Sequence, residues 1–373
     1  MIPATPGFSA VVTGGGTSGH VLPALAIADA LVEHGCDRSA IHYVGTQRGI
    51  ETTLVPPTGY PATYLDVIGL QRSITLRNLA VAPKLVRSVR AATTLLRELH
   101  PQVVVNVGGY ASFPASWAAT RLSIPLVVVS YDRRPGLVTR LLAVRATAVA
   151  AAFEDSTLPG AQWTGAPIRR EFVHLDRARA RDSARAALGV PGDRFLVGVV
   201  CGSLGASAVN EAVAELVQRW SDRADLAVHH VVGERFLTRS APARDDPSGI
   251  LYRVIGYEDR MAQLYAAADL MVTRAGAGTL AELTATGTPA IVVPWPDAAE
   301  NHQLENARAL ADLGAVELLE QDHLDRLGDL VESYVGDRSR LDARAGRSFV
   351  AGAHHRSTAL VDLIAEVAHG GGR

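Results

Sequence analysis

A histidine set directly behind a glycine-rich turn is the first feature of this chain that could do chemistry. The strand-like run FSAVVT leads into GGGTSGHVLPALAIADAL, where Gly14, Gly16 and Gly19 keep the spacing G-x-G-x-x-G and His20 follows at once. A neutral imidazole is the side chain best suited to take a proton from a hydroxyl near pH 7, which makes His20 a candidate general base. The plain alternative is a histidine that caps the following helix or packs under it. Amides of such a turn, with a helix N-terminus behind them, favour an anion. A dinucleotide would further require an Asp or Glu at the tip of the second strand to hold the ribose. That strand reads IHYVGTQ, so Gly45, Thr46 and Gln47 occupy the place and Glu51 comes too late. A phosphate-rich ligand is thus favoured over NAD or FAD, and a dehydrogenase is the least favoured enzyme.

Two further stretches carry candidate chemistry. In NVGGYASFPASWAA, Gly108 and Gly109 follow an apolar strand, either as a tight turn or as a second wall of a diphosphate cradle. In TRAGAGTLAELTATGTPAIVVPWPDAAENHQLENA, Gly276 and Gly278 let the chain turn after a strand, Thr279 is placed to start a helix, and Glu282 falls one turn inside it. Glu282 is either a favourable first-turn carboxylate or an acceptor for two ribose hydroxyls. Pro294 and Pro296 fix a turn, after which His302, Gln303 and Asn306 share one helix face. Sugar recognition and a solvated helix face are both open readings there.

The elements that must position these groups are those of an α/β protein. Of 373 residues, 48% are hydrophobic and 5% aromatic, so the interior is built from Ala, Val, Leu and Ile, which suits buried parallel strands. In the first half FSAVVT, IHYVG, PQVVVNVGGY and PLVVVS alternate with helical patterns, among them a helix from Pro23 to about His34. A Pro- and Gly-rich break, TLPGAQWTGAPIRREF, marks a domain boundary. RFLVGVVCGSLGAS, LAVHHVVG, ILYRVIGY, ADLMVTRAGAG and PAIVVPW then repeat the plan. The expectation is two Rossmann-like doubly wound domains facing a central cleft, 1–164 and 165–345, with a C-terminal helix at about 346–373 packing back on the first. A formal charge of −2, from 36 basic and 38 acidic residues, gives no global field for a nucleic acid, and none is expected as partner. Cys36 and Cys201 lack disulfide or zinc spacing, which points to a reducing cytosolic setting; neither a metal nor another cofactor is expected. No run of about 18 apolar residues occurs, so a membrane would be met from outside.

Taken in order over essentially the whole chain, GGGTSGH, GGYASFP, GAPIR, CGSLGA, RAGAGTLAE and HQLEN resemble the motifs of the MurG family of GT-B glycosyltransferases. The resemblance implies an inverting transfer of N-acetylglucosamine from UDP-N-acetylglucosamine to the lipid-diphosphate acceptor undecaprenyl-diphospho-muramyl-pentapeptide, in peptidoglycan synthesis. It further implies a peripheral enzyme at the cytoplasmic face of the membrane. His20 becomes the base on the acceptor hydroxyl, while Thr17, Ser18 and Gly19, with Gly108, Gly109 and Tyr110, become the acceptor-diphosphate site. On the donor side the resemblance puts Arg169 and Ser203 at the diphosphate, and gives Ala277, Gly278 and Thr279 backbone and hydroxyl contacts. Glu282 takes the ribose, Gln303 and Asn306 the sugar hydroxyls, and Tyr257 and Met261 flank uracil. A fixed guanidinium and a helix N-terminus offset the charge growing on UDP, so no metal is required.

One stretch departs from the family pattern. Where His-Glu-Gln-Asn is usual, PLVVVSYDRRPG places Val129, Ser130, Tyr131 and Asp132, so Asp132 stands where an amide faces the sugar and acceptor. Ala166, Cys201, Leu204 and His302 replace Asn, Gly, Gln and Gln. Donor residues are better kept than acceptor residues. That leaves open a related enzyme with another acceptor, a UDP-N-acetylglucosamine epimerase, or a non-catalytic UDP-sugar-binding protein. A membrane-facing surface is expected at 70–84, where Ile74, Leu76, Leu79 and Val81 interleave with Arg72, Arg77 and Lys84. The later VRAATTLLREL reads as an amphipathic helix packed on the sheet.

Overall fold

The computed structural model describes residues 7–67, 81–202, 205–298 and 301–370, with the backbone alone at 81–82. The chain divides into two units, Met1–Arg170 with His354–Arg373, and Glu171–Ala353.

In the first unit, β1 (Ala10–Thr13), β2 (Ile41–Thr46), β3 (Ala62–Leu65), β4 (Val103–Asn106), β5 (Leu126–Ser130), β6 (Ala148–Ala151) and β7 (Ala161–Trp163) form a parallel sheet in the order 3-2-1-4-5-6-7. The crossovers contain α1 (Ser18–Glu33), α2 (Glu51–Leu54), α3 (Val81–Leu99), α4 (Phe113–Arg121) and α5 (Leu137–Ala143). A sheet covered on both faces calls for unbroken apolar runs, and Val103, Val104, Val105, Val127 and Val128 are all inaccessible. α3 lays Ala92 and Leu96 into the core with Val11, Val44 and Val104. Its later part therefore packs on the sheet, while most of the expected membrane segment, with Arg72, Ile74, Leu76, Arg77 and Leu79, lies outside the described residues.

In the second unit, β8 (Phe195–Val200), β9 (Leu226–Val231), β10 (Arg244–Asp245), β11 (Leu251–Ile255), β12 (Leu270–Thr273), β13 (Ala290–Val292) and β14 (Glu317–Leu318) follow the order 10-11-9-8-12-13-14. Only the β10–β11 pair of this sheet is antiparallel among the described residues. The helices are α6 (Arg170–Val173), α7 (Arg177–Leu188), α8 (Ser207–Arg219), α9 (Met261–Ala267), α10 (Ala277–Thr286), α11 (His302–Asp312), α12 (Leu327–Val335) and α13 (Arg338–Ala351). A last helix, α14 (Ala359–Gly370), returns to the first unit.

Two expectations from the sequence shift. The C-terminal helix is two helices, because Gly352 closes α13 where a Cβ would lie 2.2 Å from the Thr284 carbonyl oxygen, and the turn Ala353–Arg356 carries the chain onward. The division falls after Arg170 rather than at 164, because the GAPIR segment is fastened to that returning turn. The Ala166 N–H donates to His355 Nδ1 at 2.8 Å, and burial pushes the His355 pKa down to about 4, which keeps that nitrogen an acceptor.

The second unit is tied together at one buried carboxylate. Asp269 accepts from Arg181 (2.7 Å), Arg185 (2.6 Å), Arg338 (2.8 Å) and the Leu196 amide (2.7 Å), joining α7, α13, β8 and the start of β12. Arg185 is itself 2% exposed. Removing the carboxylate leaves a buried guanidinium without its counter-charge. Asp269→Ala is expected to cost about 3 kcal/mol of stability, read as a lower urea midpoint for the second unit.

Candidate active site

In a doubly wound sheet, ligands bind beyond the C-terminal strand ends where the strand order reverses. In the first sheet that point lies between β1 and β4, whose last residues Thr13 and Asn106 are paired. The turn after β1 runs into α1, which begins at Ser18, five residues before the expected start at Pro23, so His20 lies in the first turn of that helix. The turn after β4 is shaped by fully buried Asn106. Its Nδ2 donates to Ser112 (2.8 Å) and Ser116 (2.7 Å), and its Oδ1 accepts from the Gly108 amide (3.0 Å). Gly108 and Gly109 take φ of +85° and +78°, and a Cβ on Gly109 would lie 2.5 Å from the Gly15 carbonyl oxygen and 3.0 Å from His20 Cδ2. The two glycines serve as turn residues, and in doing so they press bare backbone against the imidazole.

Another neighbour of the imidazole comes from the stretch that departs from the family pattern. Tyr131, just past β5 and 7% exposed, places its Oη 2.5 Å from His20 Nδ1 and donates to the Gly19 carbonyl oxygen at 2.6 Å. The Val107 carbonyl oxygen lies 3.2 Å from the same Nδ1. Burial, reinforced by the Asp132 carboxylate, raises the Tyr131 phenol well above its ordinary pKa, so it stays protonated. Asp132 is half-buried, and Arg133 next to it is ion-paired with Asp155.

Sequence reasoning passed over Glu51, the first residue of α2. It is wholly buried and accepts the Gly16 amide (3.0 and 3.2 Å at its two oxygens) and the Thr46 amide (2.8 Å). A Cβ on Gly15, Gly45 or Gly49 would come within 3 Å of its side chain. The glycine turn is thus already filled by a carboxylate of the chain, and its Gly16 amide is not offered to a ligand. The anion-favouring groups at this edge are instead the first-turn amides of α1, which the Thr17 side chain does not cap. The signal was present in Gly15, Gly45 and Gly49, which the G-x-G-x-x-G spacing leaves unexplained. Thr17 and Gly19 are exposed, Ser18 and Tyr110 partly so, and Tyr110 packs its ring against Gly16.

The second sheet reverses between β8 and β12, where Val200 pairs with Thr273. α10 starts at Ala277, two residues before Thr279, so Ala277, Gly278 and Thr279 form its first turn; Gly276 ahead of them has no side chain to cap it. Glu282 lies further along α10, partly exposed. Tyr257 is exposed in the turn after β11, and Met261 opens α9. Gln303 Oε1 accepts the Trp295 amide at 2.9 Å, which ties α11 to the turn after β13 and turns the donor end of its amide away from that contact. Asn306 is wholly buried. Arg274, which the sequence did not single out, donates to the carbonyls of Val293 (3.2 Å) and Pro294 (3.1 Å) and to Gln321 Oε1 (2.7 Å), and so holds the Pro294 turn to the end of β12. Arg169 is partly buried between β7 and α6, and Ser203 lies outside the described residues.

The profile of the glycosyltransferase family 28 N-terminal domain matches residues 10–151, and that of the family 28 C-terminal domain matches residues 196–358. The chain belongs to glycosyltransferase family 28. Within that family it is similar to the UDP-N-acetylglucosamine--N-acetylmuramyl-(pentapeptide) pyrophosphoryl-undecaprenol N-acetylglucosamine transferase of Desulforamulus reducens, at 35% identity over 368 residues, covering 95% of this chain and 96% of that one. The solved structure of Acinetobacter baumannii MurG superposes with a TM-score of 0.73 at 27% identity, over 96% of this chain and 99% of that one. The expected GT-B architecture of two parallel-sheet α/β domains therefore holds. A Neisseria meningitidis UDP-GlcNAc 2-epimerase, solved bound to UDP-GlcNAc, reaches a TM-score of 0.64 at 16% identity over 95% of this chain and 98% of that one, which is likeness of fold alone.

In this family 28 chain the buried carboxylate makes a direct prediction. Glu51→Ala leaves the Gly16 and Thr46 amides without their acceptor, at an expected cost of about 2 kcal/mol seen as a lower melting temperature. An unchanged melting temperature would mean that the turn keeps its shape without Glu51.

Proposed function

We propose that this chain transfers N-acetylglucosamine, with inversion, from UDP-N-acetylglucosamine to the lipid-linked, diphosphate-bearing muramyl-pentapeptide of peptidoglycan synthesis. The observation that carries the reading is likeness along nearly the whole of both units to a transferase of that name. His20, at the switch point of the first sheet, supplies the base such a reaction needs. The acceptor hydroxyl oxygen attacks the anomeric carbon, the bond from that carbon to the UDP oxygen breaks, and His20 takes the proton. UDP departs with the electron pair. The first-turn amides at Ala277, Gly278 and Thr279, with Arg169 and Ser203, stabilise the charge that develops on it. Glu282 is assigned to the ribose, and Tyr257 and Met261 to uracil. Of the expected amide pair, Gln303 has accessible surface and Asn306 has none, so Gln303 is assigned to the sugar. The first turn of α1, with Thr17, Ser18 and Gly19, and the turn carrying Gly108, Gly109 and Tyr110 are assigned to the acceptor diphosphate, with Asp132 at its margin.

A lipid acceptor calls for contact with a membrane surface, and no helix among the described residues is long and apolar enough to cross one. α5 supports peripheral contact, and that contact is assigned to the cytoplasmic face. Leu137, Leu141 and Val144 lie at one-face spacing and are 60%, 48% and 73% exposed, with exposed Arg134, Arg140 and Arg145 around them. Apolar side chains ringed by arginines suit an anionic lipid surface. Replacing both leucines, Leu137→Ser with Leu141→Ser, is expected to weaken sedimentation with phosphatidylglycerol vesicles at least about fivefold. Unchanged sedimentation would remove α5 from the membrane contact.

The test of the reaction is incubation with UDP-N-acetylglucosamine, with and without the lipid-linked muramyl-pentapeptide. UDP is expected only when that lipid is present, together with a lipid heavier by one N-acetylhexosamine. His20→Ala is expected to lower kcat by about 10² to 10⁴ with UDP affinity unchanged by calorimetry. Donor binding without lipid product would favour the second reading, a different acceptor, which the Val129–Asp132 substitutions motivate. Equal losses of rate and UDP affinity in His20→Ala would remove it as the base.

A further inference from the structure

Pro23 lies inside α1 and has no N–H to give to the carbonyl four residues before it, that of Gly19. The Tyr131 hydroxyl supplies the missing donor at 2.6 Å. A phenol carries one proton, and the other groups around this one are the Val107 carbonyl oxygen at 3.3 Å and His20 Nδ1 at 2.5 Å. With that proton committed to Gly19, Oη can only accept from Nδ1, which must then carry a hydrogen. The Val107 carbonyl oxygen, 3.2 Å from Nδ1 and an acceptor only, makes the same demand. The reverse arrangement, with the phenol donating to a bare Nδ1, would set the Gly19 carbonyl oxygen 2.6 Å from an oxygen with no proton between them. It would also set the Val107 carbonyl oxygen 3.2 Å from a nitrogen lone pair. Such contacts set two acceptors against each other and are repulsive in this part-buried site.

We infer that Tyr131 is a positioning residue that holds neutral His20 as the Nδ1–H tautomer and thereby makes Nε2 the atom that takes the acceptor proton. The inference rests on His20 as the base and adds which nitrogen acts and what selects it. A buried carboxylate in the same place would fix the tautomer and also stabilise the imidazolium. The protonated phenol fixes tautomer and ring direction while adding no charge.

The tautomer is read directly from long-range 1H–15N spectra of the full chain labelled with 15N-histidine, with the His20 signals assigned by their loss in His20→Gln. The wild-type protein, above the pH at which His20 titrates, is expected to show a protonated Nδ1 and an unprotonated Nε2. In Tyr131→Phe only the longer Val107 contact at 3.2 Å is left to hold Nδ1–H, so a substantial Nε2–H fraction is expected, and kcat falls about tenfold with KM for both substrates within about twofold. A purely structural role would lower melting temperature and UDP binding without moving the tautomer. Pro23→Ala keeps the phenol but returns a helical N–H to the Gly19 carbonyl, which releases the phenol proton toward Nδ1. A raised Nε2–H fraction is expected there too. A wild-type His20 in the Nε2–H form, or a tautomer unmoved in both variants, overturns the inference. The spectra need no substrate, so a chain that holds the Nδ1–H form yet makes no lipid product would sink the transferase reading and leave the tautomer assignment standing.

Discussion

A missing N–H at Pro23 sets the geometry of the first unit's functional edge. A proline inside a helix leaves one carbonyl without its helical donor, free to take a hydrogen from elsewhere. The Gly19 carbonyl finds the Tyr131 hydroxyl, which has to come from the end of β5. Because β4 lies between β1 and β5 in the sheet, the phenol can reach α1 only past the turn that follows β4. That turn must therefore be thin, and it is Gly108–Gly109, held in the left-handed region by Asn106 and Ser112. The imidazole of His20 ends up bounded by backbone on one side and a phenol on another, with few alternative orientations. A helix defect, a strand order and a pair of glycines are thus one constraint seen from three elements.

The two units share a topology but fill their switch points differently. In the first, the turn after β1 closes on Glu51, a carboxylate that stands where a bound anion would otherwise satisfy the Gly16 amide. The turn is rigid for that reason, and the room left for a ligand is at the first turn of α1. In the second, the turn after β12 passes through Gly276 straight into α10, with no side chain capping the helix. Its positive end is open to a diphosphate, whose charge it would stabilise as the leaving group forms. Both units thus present a helix start that no side chain caps, and they differ in that the first also neutralises the turn ahead of it with its own carboxylate.

How legible all this was in the sequence depended on whether the signal was periodic. Strands buried on both faces need unbroken β-branched runs, and VVVN and LVVVS read as strands without ambiguity. Two half-chains with the same rhythm read as two Rossmann-like domains, and the resemblance to the MurG family implies their GT-B arrangement. Proline is favoured at the first helical position, so the sequence points to a start at Pro23, whereas α1 runs from Ser18 through the proline. A dinucleotide site needs its acid at the strand tip, so in the sequence Glu51 reads as too late; the chain uses the acid to hold its own turn instead. Tyr131 carried no periodic signal at all. Its partners lie 112 and 111 residues away at Gly19 and His20 and 24 away at Val107, and only the folded sheet brings them together.

The substituted stretch is less of a loss than the sequence alone implies. Val129 and Ser130 fall on β5, at 2% and 5% exposure, and Val129 pairs with Ala150 of β6, so their places are inside the sheet. Position 131 faces a definite demand: one hydrogen for the Gly19 carbonyl and one lone pair for His20 Nδ1. A glutamine, usual there in the family the motifs resemble, can meet it with the two ends of its amide, and a tyrosine meets it with one hydroxyl. An aliphatic residue would meet neither half, and a carboxylate could not donate to Gly19 while charged. What is conserved between amide and phenol is the pairing of a donor with an acceptor at a fixed point, and that pairing is what a base in a single tautomer requires.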